Sequence, residues 1–315
     1  MSQPLRIVFM GTPEFAVPSL EALVEAGHTP VAIVTSLDTP GSRRKPPTPP
    51  PVKRAAEWLG IERILQPESV KAPEFADEIA ALHVDLIVVV AFKILPPAIF
   101  ESARLGAFNL HGSLLPRYRG AAPIQRAVMA GDSETGLTTF ALAARVDTGG
   151  ILVQQRVPLS PDDTAGDLHD RLMTLGADLV VETVRLYEKG NVDPQPQDDA
   201  LATPAPKLFR EEGEVDWNQP AEQVRRHIHG FSPFPGAWTT WRSEALKLYR
   251  TALPDDAPVL GRAAPGTLAV QDDHLFVACA DRWLELIDVQ QAGRKRQDAA
   301  DFVRGASLEA GERVG

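Results

Sequence analysis

A chain of 315 residues is longer than the roughly 150 typical of one domain and suits two. Its 44% hydrophobic and 23% charged composition is ordinary for a globular protein, and no apolar run reaches the roughly 18 to 20 residues that span a membrane. The net charge of −10 argues against a general affinity for nucleic acid, and the single cysteine, Cys279, excludes an intramolecular disulfide and a thiolate metal site.

The chain opens at Met1 to Phe9 without the charged start, long apolar stretch and cleavage site of a signal peptide, so a cytoplasmic location is expected. Leu5 to Met10 reads as a strand, Glu14 to Ala26 as a helix stopped by Gly27, and Val31 to Thr35 as a second strand. The intervening Gly11-Thr12-Pro13 turn lacks the Gly-x-Gly-x-x-Gly spacing of a dinucleotide site. From Thr39 to Ala56 there are five cations (Arg43, Arg44, Lys45, Lys53, Arg54), six prolines and no acid. Proline removes a backbone donor and fixes φ, so the start of this window reads as a stiff, extended, basic surface loop. Helices are expected at Pro51 to Leu59 and Pro73 to Leu82. Leu86 to Phe92 reads as a strand buried on both faces, and Ala107 to His111 as the next. Strands alternating with helices imply a mostly parallel, Rossmann-like sheet with helices on both faces.

Further on, strands are expected at Leu137 to Ala143 and Ile151 to Val157, joined by a loop holding Asp147, followed by a long helix from Thr164 to Lys189. Residues 191–206, with four prolines and three aspartates, have linker composition. Beyond them Leu246–Leu253, Gly266–Val270, Leu275–Ala278 and Leu284–Val289 read as the strands of a small β-barrel, OB-like in type. The expected division is therefore an α/β domain over 1–190, a linker over 191–206 and a barrel domain over 207–315.

The run from Asn109 to Gln125 (Asn-Leu-His-Gly-Ser-Leu-Leu-Pro-Arg-Tyr-Arg-Gly-Ala-Ala-Pro-Ile-Gln) carries the most information. Side chains at i and i+2 of a strand share a face, so Asn109 and His111 are expected to project together. An amide donor beside a titratable ring suits acyl transfer: the amide stabilises an oxyanion, and the imidazole donates or relays a proton. Asp147 is the candidate carboxylate to orient that ring, although an aspartate in such a turn also bonds its own backbone. His227 and His229 stand two apart with no third ligand near in sequence, so no metal is expected.

This run resembles the signature of the methionyl-tRNA formyltransferases, a family of folate-dependent formyltransferases. Other similar stretches are Phe9 to Ala16, Ile94-Leu95-Pro96, Asp147-Thr148-Gly149, Lys207 to Glu212 with Asp216-Trp217, and Phe231 to Ala237. The resemblance implies transfer of a formyl group from 10-formyltetrahydrofolate to the α-amine of methionine on initiator tRNA. The implied catalytic residues are Asn109, His111 and Asp147. The implied folate segment is Ser113, Leu114, Leu115 and Pro116, with Phe92 and Ile94 beside the same pocket. It also implies tRNA contact through Arg43, Arg44, Lys45 and Lys53, and through Arg294, Lys295 and Arg296. A monomer without membrane association is expected.

The chain departs from the family pattern in two places. Lys93 stands where Gly is common, and Leu142 to Val146 replace a Met-Asp-x-Gly-Leu pattern, with Ala143 and Arg145 at the Asp and Gly positions. Sugar-nucleotide N-formyltransferases are the nearest alternative, since they share the donor and the Asn and His residues but have no need of a basic loop. Glycinamide ribonucleotide formyltransferases share the three residues but are much shorter. A non-catalytic RNA binder would need none of the three together.

Overall fold

The computed structural model describes residues 4–41, 46–254, 261–309 and 311–315. Contacts divide the chain into two units. One comprises Met1–Pro123, Thr135–Val157 and His169–Ala205; the other comprises Ile124–Glu134, Pro158–Leu168 and Pro206–Gly315. The boundary therefore crosses the chain several times, where composition suggests one cut at 191–206.

In the first unit, β1 (Ile7–Gly11) leads through α1 (Val17–Glu25) to β2 (Ala32–Val34), then α2 (Pro51–Trp58), β3 (Ile64–Leu65), α3 (Pro73–Ala81), β4 (Leu86–Val90), α4 (Pro97–Phe100) and β5 (Ala107–His111). The short β6 (Arg119–Gly120), β7 (Glu134–Ala141), β8 (Ile151–Pro158), most of the long α6 (Ala165–Glu188) and the short β9 (Pro204–Ala205) complete it, while α5 (Pro123–Ala130), beyond its first residue, and the first turn of α6 belong to the second unit. The main sheet runs β3-β2-β1-β4-β5-β7-β8; β1 to β5 are parallel, and β7 is antiparallel to β5. Alternation assigns the faces. Val8, Met10, Ile87, Val89 and Ala107 pack with Phe75 and Ile79 of α3 and Ile99 and Phe100 of α4. Phe108 and Leu110 point the other way, toward α6, where Phe108 stacks on Tyr187 with ring centroids 5.9 Å apart. Asn109 falls in the α3/α4-side set, one register step from Ala107 and opposite Val89.

The strands are parallel and buried because β1 and β4 are continuous apolar runs with no polar face to expose. β7 begins earlier than its apolar residues suggest, at Glu134, because Thr135, Thr138 and Thr139 are buried as well. Thr139 Oγ1 meets Thr183 Oγ1 of α6 at 2.8 Å, and Thr183 Oγ1 also lies 2.7 Å from the Leu179 carbonyl. Residues 191–206, linker-like in composition, are bonded to the first unit. Gln195 and Ile151 exchange backbone bonds, and β9 pairs in parallel with β6.

The second unit contains α7 (Ala221–Phe231), β10 (Ala237–Trp241), β11 (Glu244–Ala252), β12 (Leu268–Gln271), β13 (His274–Ala278), β14 (Trp283–Gln291), β15 (Gln297–Asp298) and α8 (Ala299–Ala306). Its antiparallel sheet runs β10-β11-β14-β13-β12, with β15 on β14, and encloses Trp217, Phe231, Trp241, Leu248, Leu275, Leu286 and Phe302. No direct ladder joins β10 to β12 among the described residues. The final residues bond toward both edges instead: Leu268 N–H donates to the Glu312 carbonyl, Val314 N–H to Gly266 and Gly315 N–H to Thr240. The expected barrel is thus an antiparallel sheet whose edge strands are linked by the C-terminal segment.

His229 of α7 is 1% exposed, and burial pushes its pKa down to about 4. Its Nε2 lies 3.1 Å from both the N–H and the carbonyl of Thr251. The folded value lies below the unfolded value of about 6.5, so the unfolded chain binds more protons between them. Stability should be full above about pH 6.5 and fall by roughly 3 kcal/mol as pH drops toward 4. Urea unfolding of this unit at several pH values should be flatter in His229→Gln than in the wild type; identical pH slopes would remove His229 as the cause.

Candidate active site

A cavity of about 110 Å³ lies over the face of β4 and β5 that carries Asn109. Val89, Leu95 and Phe100, all buried, form its apolar interior with Phe92 and Leu142. Its walls are two loops, Phe92 to Leu95 after β4 and Leu142 to Asp147 after β7. Asn109 and Asp147 are its polar groups on the interior side. The Asn109 amide makes no hydrogen bond to protein among the described residues, so both its N–H groups are available to a ligand.

His111 is not on that wall. The strand reading expects it beside Asn109, but it lies one pleat repeat further along β5 and is 5% exposed, with its ring edge-on to Phe140. Its Nε2 lies 2.9 Å from the Tyr118 carbonyl, and a carbonyl only accepts, so Nε2 carries the proton. Nδ1 therefore presents a lone pair to Asp147 Oδ2 at 3.9 Å. Burial holds the ring below the usual imidazole range, and this outweighs the opposing pull of the Asp147 carboxylate and the Tyr118 bond. The ring is neutral at neutral pH, as a proton acceptor must be. Asn109 and Asp147 face the cavity, and His111 stands behind Asp147.

Three backbone devices fix this geometry. Ser113 to Pro116 are not cavity residues; they form a packed turn that delivers the Tyr118 carbonyl. Ser113 Oγ donates to the Arg117 carbonyl, Leu115 N–H to Thr138 Oγ1, and Gln154 Nε2 to the Leu115 carbonyl. Gly120 N–H donates to Asp147 Oδ2 at 2.8 Å. Only glycine serves there: φ is +134°, and an added Cβ would lie 2.4 Å from the Ala205 carbonyl oxygen across the β6–β9 pair. Asp147 itself has φ +54°, an uncommon conformation for a residue with a side chain. Gln197 holds it there, because Nε2 donates to the carbonyls of both Asp147 and Gly149, at 2.9 and 2.8 Å. The Gln197 Oε1 in turn accepts from Arg119 Nε and Nη2, while Arg119 Nη1 pairs with Asp199 at 2.7 Å.

Gln197 has no signal in the sequence, since it lies in a stretch rich in proline and aspartate and its partners are distant. Arg119 and Gly120 were in the signature without an evident role. Phe92 and Ile94 line the cavity, together with Lys93, Ala143 and Arg145. Among the expected RNA contacts, Arg43, Arg44 and Lys45 lie outside the described residues. Lys53 has its charge engaged internally: Nζ meets both Asp38 carboxylate oxygens and Gln66 Oε1, each at 2.9 Å. These bonds, Lys53 first, hold the Asp38 carboxyl below its usual range. Thr39 and Thr48 exchange backbone bonds and close the base of the basic loop. Arg294 and Lys295 are exposed in the turn after β14, and Arg296 is paired with Asp288 over the Tyr249 ring.

The pattern of the Formyl transferase family matches residues 5–184, and that of the Formyl transferase, C-terminal domain, matches 207–307. A methionyl-tRNA formyltransferase of Chlorobium luteolum is 46% identical over 304 residues, covering 96% of each chain. One of Geobacter metallireducens is 45% identical over 313 residues, covering 99% of each. The chain belongs to the methionyl-tRNA formyltransferase family. Among solved structures, HypX from Aquifex aeolicus in complex with tetrahydrofolic acid matches with a TM-score of 0.67 at 17% identity, covering 98% of this chain and 49% of that one. An N-formyltransferase from Helicobacter canadensis in complex with folinic acid and dTDP-3-aminofucose gives 0.67 at 16%, covering 91% and 99%. At these identities the likeness is one of fold.

For this formyltransferase, Gln197→Ala should lower turnover by roughly 10- to 100-fold, the range that a small displacement of a reacting group produces. KM values should change far less. Gln197→Glu can still accept from Arg119 but cannot donate to the two carbonyls, so it should be equally impaired. Wild-type turnover in a variant with lowered thermal stability would make Gln197 a fastener and nothing more.

Proposed function

We propose that this chain transfers the formyl group of 10-formyltetrahydrofolate to the α-amine of methionine on initiator tRNA. The observation that carries the reading is the meeting of Asn109, from a strand end, and Asp147, from a distant loop, at one cavity, with His111 behind Asp147, in a chain of this family. Attack by the amine nitrogen on the formyl carbon forms a C–N bond and a tetrahedral oxyanion. The Asn109 amide donates to that oxygen; such a donor typically contributes on the order of 10²–10³ in rate. The amine, with an ordinary pKa near roughly 8, needs only a modest base. Its proton passes to the Asp147–His111 pair, whose Nδ1 lone pair faces the carboxylate, and imidazolium formation there is stabilised by Asp147. Collapse of the intermediate breaks the bond from the formyl carbon to the folate nitrogen, and the same proton returns to that nitrogen. The residues require no metal for these steps.

The acceptor tRNA is assigned to the basic loop, through Arg43, Arg44 and Lys45, and to Arg294, Lys295 and Arg296 in the second unit. Lys53, bound to Asp38 and Gln66, supports the base of that loop. Proline limits the conformations of this loop, so less entropy is lost on docking to phosphates. A cytoplasmic location accompanies this reading.

Single-turnover transfer from 10-formyltetrahydrofolate should be fast to charged initiator Met-tRNA and slow to charged elongator Met-tRNA and to a 4-amino-sugar nucleotide. Fast transfer to the sugar would reassign the chain to sugar formylation, and transfer to none would refute formylation. Arg43→Ala with Arg44→Ala should weaken tRNA binding and flatten its dependence on salt. An unchanged salt slope would remove the loop from the interface.

A further inference from the structure

The candidate cavity grades from apolar to cationic. Its interior is Val89, Leu95 and Phe100, each under 10% exposed. Its rim holds Ile94, which is 71% exposed, and two cations contributed by separate loops, Lys93 after β4 and Arg145 after β7. Lys93 is exposed and has no ion pair among the described residues. The Arg145 side chain is 77% exposed, and its neighbour Asp199, 3.9 Å away, is already bound by Arg119 at 2.7 Å. Both charges are thus available at the mouth of a cavity whose reactive groups lie deeper. On a chain of net charge −10 an anionic ligand gains little from the overall field, so local cations decide whether it is held.

We infer that Lys93 and Arg145 form a carboxylate-binding rim for the glutamyl tail of the folate donor and make this chain prefer donors with several glutamyl residues. The inference rests on the formyl-folate reading above. A donor whose formyl group lies at Asn109 and Asp147 and whose aromatic body covers Phe92, Leu95 and Phe100 directs its anionic end outward, toward these two side chains. Arg145 can take a carboxylate through two parallel N–H groups, and Lys93 acts as a point charge on a flexible stem. Each added glutamyl residue brings one more carboxylate within reach of the pair.

The test is the affinity of the full chain for 10-formyltetrahydrofolate bearing one and three glutamyl residues, taken from the donor dependence of single-turnover transfer to charged initiator tRNA. The wild type should favour the triglutamyl donor by about tenfold, because an exposed ion pair contributes only a few-fold. The ratio should shrink in Lys93→Gln and in Arg145→Gln, fall below about twofold in the double variant, and decline with added salt in the wild type. The ratio of the two donors cancels any general loss of fold or activity. Equal affinities in the wild type, or an intact preference in the double variant, overturns the rim and leaves the formylation reading standing. Failure of both donors to support transfer overturns the formylation reading, and the rim with it.

Discussion

The site depends on one burial: an imidazole taken almost wholly out of water and held neutral, with its Nε2 proton committed to a backbone carbonyl. An unpaired polar group in that position would be costly, so the ring demands partners, and the surrounding chain is arranged to supply them. The Tyr118 carbonyl fixes the tautomer. The tautomer fixes which nitrogen faces Asp147, and Asp147 is the member of the pair that reaches the cavity. The Ser113 to Pro116 turn, the glycine at 120 and the β6–β9 pairing all act through this arrangement. Asn109, His111 and Asp147 themselves make few bonds. Their supports make many, as a site fixed to fractions of an ångström requires.

The same principle gives residues 191–206 a part in holding the candidate site. A proline-rich stretch cannot form a helix and reads as a tether. Here it is bonded along the first unit, with a short 3-10 turn at Asp199–Leu201 and Gln197 reaching back to two carbonyls of the Asp147 loop. A left-handed backbone at a non-glycine residue persists only where its surroundings over-determine it, and Gln197, at the backbone carbonyl, and Gly120, at the carboxylate, supply that constraint to Asp147.

Elements built on local pattern were legible in the sequence. β5 was readable over Ala107–His111, and α2 and α3 to within a residue, because proline at the helix starts and apolar strand runs are local signals. The first strands and the parallel order followed from alternation of elements. Features fixed by distant partners were not legible. The start of β7 looks polar although Thr135 is buried, and Thr139 is buried against Thr183 of α6, a partner that sequence does not display. Lys53 counts as a surface cation until Asp38 and Gln66 are seen beside it. The barrel reading missed that the second sheet's edges meet through the C-terminal segment, a long-range arrangement with no local motif. At the site, the type and spacing of Asn109 and His111 were readable, but the recession of His111 behind Asp147 was not, because the period of two assigns a face and not a depth.

The most direct measurement is the ¹⁵N spectrum of the His111 ring at neutral pH, assigned with a His111→Gln control. The account predicts a neutral imidazole with Nε2 protonated and Nδ1 bare, its charging moved to lower pH than an ordinary imidazole's because burial opposes it. A ring protonated on both nitrogens at pH 7, or the tautomer with the proton on Nδ1, would contradict it. Either result would mean that Asp147 faces a donor instead of a lone pair, and the second also that the Tyr118 carbonyl does not set the tautomer.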